Sequence, residues 1–243
     1  MQKRLKNAQK TSKGIIILCY HRFRKRKAKK AEKDRPYVVS PAVFRRQMSV
    51  IKEEGFNVIS MKKLVRFVNG AETRLPPKPL VITIDDGFSC TYTRAYPVLK
   101  EFKYPAVVYI YEDSIDGEKY YLTKEQVKEM AKNNIEPGCH TKSHPRLAEK
   151  REHYKDFLER EIVISRNNLE ERFGKKMDTF SYPYGSYSPK LFPYLEKAGF
   201  SAAVTVENGI NTKSTNRYKL KRYTVYSGRS LKWFRNLLKR THI

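Results

Sequence analysis

The chain is short of several things, and each shortage narrows what it can be. It has three cysteines in 243 residues, Cys19, Cys90 and Cys139. An odd number makes no complete disulfide framework, so a hydrophobic core must carry the fold. No apolar run approaches the roughly 18 residues of a membrane-spanning helix. The apolar stretch 15–20 behind the basic N-terminus is too brief for a signal-peptide core, and no small-residue cleavage pattern follows it. Acidic residues are scarce: 25 Asp and Glu face 51 Lys and Arg, a formal charge of +26. After Glu207 there are none, while basic residues continue to Arg240. Such an excess draws the protein toward polyanions, whether nucleic acid, anionic lipid or acidic envelope polymers, and says nothing about fold. No internal repeat, linker or composition break divides the chain. Residues 1–13, polar and basic, read as an arm, and 14–243 as one domain, a routine size for a single core.

What is present is an alternation of apolar runs and capped helices. Strands are expected over 14–20, 56–59, 80–84, 105–111, 135–139, 178–182, 200–206 and 222–226. Ser40-Pro41 opens a helix to Gly55, Ser60 caps one to about Asn69, and Thr123-x-x-Gln126 is a capping box. Further helices are expected over 91–103, 150–173, 188–199 and from Ser230 onward. Alternation of this kind implies parallel strands with crossover helices, in a barrel or an open sheet. In a closed barrel the C-terminal strand ends gather on one face, where sites are built.

Chemistry concentrates at those strand ends. The run Leu80-Val81-Ile82-Thr83-Ile84 leads straight into Asp85-Asp86-Gly87. Two carboxylates at the mouth of a buried strand are costly to desolvate unless their charge is compensated, and a metal would do so. Gly138-Cys139-His140-Thr141-Lys142-Ser143-His144-Pro145 holds two of the five histidines, four apart, a spacing that suits one divalent ion. A third cluster is Phe180-Ser181-Tyr182-Pro183-Tyr184-Gly185. His21 follows the first strand. The cysteines near these motifs read as small buried residues at strand ends, although a thiolate metal site with His21 or His140 is conceivable. His153 and His242 read as surface residues, and Asp113 and Asp116 as a solvated acidic loop.

Together, Thr83-Ile84-Asp85-Asp86-Gly87, His140-Thr141-Lys142-Ser143-His144 and Tyr182-Pro183-Tyr184-Gly185 resemble the motifs of the polysaccharide deacetylases, the metal-dependent carbohydrate esterases of family four. Gly55–Ser60 and Leu195–Phe200 extend the resemblance over about 14–226. Cys19-Tyr20-His21-Arg22 is similar to the branch acting on poly-N-acetylglucosamine, in which an N-terminal histidine supplies the acid. The resemblance implies a distorted (β/α)7 barrel, with 14–243 as its catalytic domain. It implies a hydrolase that removes N-acetyl groups from an N-acetylglucosamine polysaccharide by metal-activated water. Asp86, His140 and His144 would hold one divalent ion, zinc first, with cobalt, nickel or iron open. Asp85 would be the base, His21 the acid, and the Tyr184 backbone N–H an oxyanion donor; Tyr182, Pro183 and Lys124 would meet substrate.

This chain also departs from the pattern. The arginine common two residues before the third motif's proline is Ser181, which leaves the orientation of Asp85 open. A tryptophan that would wall the sugar site is replaced by Lys124. Two rival readings remain: a cyclic-amide hydrolase on the same barrel, and a dead scaffold that binds polyanions. No nucleic-acid motif supports the latter. Because the deacetylated product is cationic, a +26 protein either turns its basic face to an anionic envelope polymer or membrane, or acts on a glycan that itself carries carboxylates. The expected location is the cell envelope or outside if a leader or anchor precedes the chain, and the cytoplasm otherwise.

Overall fold

The computed structural model describes residues 14–24, 35–117, 119–149 and 151–240. The arm at 1–13, the cationic segment after Arg24 and His242 lie outside the described residues. In chain order the strands are β1 (Ile16–Tyr20), β2 (Arg22–Phe23), β3 (Val38–Val39), β4 (Asn57–Val58), β5 (Pro79–Ile84), β6 (Ala106–Ile110), β7 (Ile135–Cys139), β8 (Thr179–Ser181), β9 (Ala202–Val204) and β10 (Tyr223–Thr224). The α-helices are α1 (Pro41–Glu53), α2 (Met61–Val68), α3 (Tyr96–Phe102), α4 (Lys124–Ala131), α5 (Tyr154–Leu158), α6 (Ser165–Phe173), α7 (Phe192–Ala198) and α8 (Leu231–Arg240).

Seven strands pair in the order β10-β1-β5-β6-β7-β8-β9, all parallel, with β4 added beside β5. The segment between β9 and β1 closes the ring. Leu220 exchanges backbone bonds with Ala203 and Thr205 at 3.0 and 2.8 Å, and Tyr223 then pairs with Leu18. The result is the expected single-domain, distorted (β/α)7 barrel. No helix among the described residues is long and apolar enough to cross a membrane.

Alternation along each strand divides the side chains between two layers. Leu80, Ile82 and Ile84 of β5 join Ile16, Leu18 and Tyr20 of β1 in the large cluster beneath the helices. Their neighbours Val81, Ile17, Val107 and Val204 form a smaller cluster inside the barrel. Continuing the inward parity toward the C-terminal ends, the inner positions turn polar: Thr83, Asp85, His140, Ser181 and Arg222 are all buried. The barrel is therefore plugged with apolar groups at one end and lined with chemistry at the other.

The expected caps form: Ser40, Ser60 and Ser230 accept from the N–H three residues on, and Thr123 and Gln126 make the reciprocal box. Three helices differ from expectation. The one expected from 150 starts at Tyr154, and a π-helical stretch, Glu159–Ile164, separates α5 from α6. A second π-helical stretch, Thr91–Ala95, precedes α3. The helix expected from Ser188 opens as a 3-10 turn because Pro193 has no N–H to continue an α-helical ladder.

Gly138 sits where β7 passes β6. A Cβ there would lie 2.6 Å from the Tyr109 ring and 3.0 Å from Val107. Gly138→Ala should cost about 1–3 kcal/mol by overpacking, read as a lower urea midpoint with an unchanged slope.

Candidate active site

Successive residues of a strand face opposite ways, so Asp85 and Asp86 should part company. They do not, because Asp86 adopts a positive φ of 76°, which turns its carboxylate back toward the same cavity. Gly87 follows at φ 68°.

Asp85 is 2% exposed and is gripped by a residue that the motifs did not include. Arg222, on the ring-closing segment, donates Nη1 to Oδ1 and Nη2 to Oδ2, both at 2.7 Å. The Ser181 hydroxyl adds a bond to Oδ2 at 3.1 Å and accepts from Arg222 Nη2 at 3.0 Å. Arg222 also donates Nη1 to Thr83 Oγ1 and Nε to the Thr205 carbonyl. All five guanidinium N–H groups are thereby used. Arg222 has none left for substrate and acts by holding Asp85. Burial alone would push the Asp85 carboxyl up, but the charge and hydrogen bonds of Arg222 outweigh it and hold the group below the ordinary carboxylate range. The doubt raised by Ser181 is resolved: the guanidinium arrives from position 222, and a serine leaves room for it.

Asp86 Oδ1 lies 3.5 Å from His140 Nε2 and 3.4 Å from His144 Nε2. Donor atoms about 3.4 Å apart are what a tetrahedral ion with bonds of roughly 2.1 Å requires. His140 Nδ1 bonds the Ser181 carbonyl at 2.7 Å, which fixes the tautomer that leaves Nε2 free as a ligand. Burial opposes ionisation of Asp86, yet the two imidazoles hold its carboxyl well below the usual range. The loop carrying the histidines is pinned from behind. Buried Glu161, in the π-helical stretch, accepts from the Lys142 and Ser143 N–H groups at 3.0 and 2.9 Å and from the Ser143 hydroxyl. The His144 N–H donates to Thr141 Oγ1. The three residues thus fit a divalent cation.

The other cysteine-containing group does not. Cys19, His21 and Asp85 also present donor atoms within 4.8 Å of one another. However, burial pushes the Cys19 thiol far above its ordinary value, whereas a metal needs the thiolate, and Asp85 is occupied by Arg222.

His21, Asp85, Asp86, His140, His144, Tyr182 and Tyr184 all line one cavity of about 380 Å³. The His21 ring packs 4.7 Å from Tyr37, and burial pulls the imidazole below its ordinary value against the opposing pull of Asp86 and Asp85. Tyr184 has φ 57°. Its turn is closed by the N–H groups of Gly185 and Ser186, donated to Tyr182 and Pro183, and the Tyr184 N–H takes no part in that closure. Its ring is half exposed between His144 and the Arg146 guanidinium. Pro183 is buried in the turn. Lys124 is not in the cavity wall: it begins α4, its N–H bonded to Asp116. The aromatic wall comes instead from Phe88, Tyr111 and Tyr121, with the Tyr121 ring in contact with the other two. Asp113 and Asp116 are engaged by Lys142 and Arg172. Cys139 is buried, its thiol pushed up to about 12 by burial, and His153 is exposed.

A cation site of one carboxylate and two imidazoles beside a restrained second carboxylate, at the C-terminal mouth of a parallel barrel, defines a metal-assisted hydrolase. The sequence profile of the polysaccharide deacetylases matches residues 72–203, and the chain belongs to that family. It is 30% identical over 187 residues to YxkH of Bacillus subtilis, named for the same family, covering 77% of this chain and 65% of that protein. It is 25% identical over 230 residues to a poly-beta-1,6-N-acetyl-D-glucosamine N-deacetylase of Staphylococcus aureus, covering 87% and 79%. Among solved structures, Streptococcus pyogenes deacetylase PplD in complex with acetate superposes with a TM-score of 0.83 at 24% identity, over 96% and 100% of the two chains. IcaB of Ammonifex degensii gives 0.79 at 21%, over 96% and 99%.

The Asp85–Arg222 pair makes a pH prediction. With its pKa depressed, Asp85 contributes stability that is present above its unfolded pKa and is lost as pH falls through the folded value. Without the guanidinium, burial is the largest remaining influence and favours the neutral acid. Arg222→Gln should lose about 3–5 kcal/mol at neutral pH and move the acid limb of kcat/KM upward. Arg222→Lys, which keeps the charge but not the fork, should fall between. An acid limb that stays put in Arg222→Gln would show that Arg222 does not set the Asp85 titration.

Proposed function

We propose that the chain hydrolyses N-acetyl groups from an N-acetylglucosamine-containing polysaccharide, using one divalent ion held by Asp86, His140 and His144. The observation that carries this reading is the single cavity onto which those ligands, Asp85, His21 and Tyr184 all open. The Staphylococcus aureus relative is named for that substrate. Two imidazoles and one carboxylate suit zinc first. Once bound, such an ion polarises a carbonyl oxygen and lowers the pKa of water.

The chain's own groups divide the remaining work. Asp85, kept ionised by Arg222, takes the proton of the attacking water as the C–O bond to the acetyl carbon forms. The carbonyl oxygen becomes an oxyanion within reach of the Tyr184 N–H. His21 delivers a proton to the sugar nitrogen as the C–N bond breaks, since an amine anion is a prohibitive leaving group at neutral pH. Acetate and a protonatable amine leave. Packing of the half-buried His21 ring against Tyr37 holds the donor in place.

The test is acetate release from oligomers of N-acetylglucosamine, with and without chelator. Chelation should abolish release, and readded zinc, cobalt, nickel or iron should rank the metals. Asp85→Asn should lose about 10²–10⁴-fold in kcat while retaining one equivalent of metal, and His144→Ala should lose the metal. Undiminished turnover in Asp85→Asn, or release indifferent to chelator, would overturn the assignment.

A further inference from the structure

The helices around the barrel are not charged alike. On α4 to α7, with the π-helical stretch between α5 and α6, seven basic side chains meet eight acidic ones. On α1, α3 and α8, eight basic residues meet two acidic ones. These three helices form one layer, with α1 between the other two, and share the core cluster of β1 and β5. The few carboxylates on the layer join its helices to one another. Arg45 of α1 pairs with Glu101 of α3, and Arg235 of α8 forks onto Glu53 and Glu54 at the end of α1. What remains is cationic. Arg46 and Lys52 on α1, Lys100 on α3, and Lys232, Lys239 and Arg240 on α8 are all exposed, and none forms an ion pair among the described residues. None of them lines the catalytic cavity. The face lies on the flank of the barrel, separate from its mouth. Cations gathered on a rigid layer without anions repel one another and attract a counter-charged partner.

Anionic partners differ in what else they ask of such a face. A bilayer asks for apolar side chains to bury beside the charge. Among the large apolar residues of these helices only Val43, at the start of α1, is exposed. Duplex nucleic acid is stiff and would meet a convex layer along one helix. Single-stranded nucleic acid binds through bases stacked on aromatic rings, and no exposed aromatic ring stands on these helices. A flexible polyol-phosphate chain asks only for cations that it can follow from helix to helix. Four of the six cations are lysines, compact charges that take phosphate without the planar fork that carboxylate recognition favours.

We infer that the flank formed by α1, α3 and α8 holds a flexible polyol-phosphate polymer by charge alone, tethering the protein while the mouth stays open to its own substrate. This goes beyond the N-deacetylase reading and stands without it, because the test reads binding and not turnover. Fluorescence anisotropy follows labelled poly(glycerol phosphate) bound to the full chain over a range of salt. The logarithm of the affinity should fall linearly with the logarithm of the salt concentration. A triple variant, Arg46→Glu with Lys100→Glu and Lys232→Glu, makes one reversal on each helix. It should weaken binding on the order of tenfold or more and flatten the salt slope by about two. Lys128→Glu with Lys155→Glu and Lys175→Glu, all exposed on the other half of the barrel, makes the same change in net charge and should keep the slope. A second measurement does not depend on either variant folding. Amine acetylation of wild type, read by mass spectrometry, should find Lys52, Lys100, Lys232 and Lys239 shielded by the polymer, and Lys128, Lys155 and Lys175 as reactive as without it. Equal weakening by the two triple variants, shielding spread over both halves, or no binding by wild type would overturn the inference. So would tighter binding to anionic lipid vesicles, or to single-stranded DNA of matched charge.

Discussion

Two adjacent carboxylates at the end of a buried strand set the terms for everything around them. Each must be charged to act, and each sits where charge is disfavoured. The structure solves the two cases separately. Asp85 is compensated by a guanidinium that forms a two-pronged ion pair with it and is itself fully bonded. Asp86 faces two imidazoles across a gap the size of an ion. The separation matters chemically. A carboxylate bound to a metal is a weaker base, because the cation draws on the same oxygens a proton would take, and a carboxylate tied to an arginine would bind metal poorly. Because the strand parity would send the two side chains apart, the positive φ of Asp86 is what permits both to serve one cavity.

That conformation belongs to a pattern. Of the nine non-glycine residues with positive φ among the described residues, four are Asp86, Thr141, His144 and Tyr184. Such geometry costs of order 1–3 kcal/mol per residue and persists only where surroundings over-determine it. Here the surroundings are identifiable: Glu161 ties down the 142–143 backbone, the Thr141 hydroxyl catches the His144 N–H, and the turn at 182–186 is closed by its own bonds. Glu161 reaches the loop from a π-helical stretch, a local widening that often accompanies functional sites.

The strands, the caps and the three motif clusters were legible because each has a local cause: apolar runs, a hydroxyl three residues before an N–H, glycine and proline at fixed offsets. The barrel's closure was legible only in outline, since the bridge at Leu220 is a single pairing outside any regular strand. Arg222 was not legible. It is one of 51 basic residues, it lies far along the chain from Asp85, and nothing in Lys221-Arg222-Tyr223 separates a buried arginine from a solvated one. The aromatic wall was missed for a related reason. Phe88 comes from the connection after β5 and Tyr111 and Tyr121 from the one after β6, and tyrosine is so common here that no single one stood out. The two π-helical stretches replace regular α-helix, with no sequence signature that periodicity detects.

The approach of Arg222 to Asp85 follows from how the barrel closes. Asp85 tops β5, and the segment that completes the ring passes on the far side of β1 from it. The inward residue of that segment at the polar level of the barrel is Arg222, whose parity matches Thr83, Asp85 and Ser181. A long side chain from there can cross the barrel's width and meet both oxygens of the carboxylate. The opposite wall then needs only something small that can donate to Asp85 and accept from the guanidinium, and a serine hydroxyl does both. An arginine at 181 would compete for the same volume and bring a second buried cation with no anion to match it. What the site requires is one guanidinium at one carboxylate. The closed ring offers more than one strand from which to supply it, and this chain uses the strand that also seals the barrel.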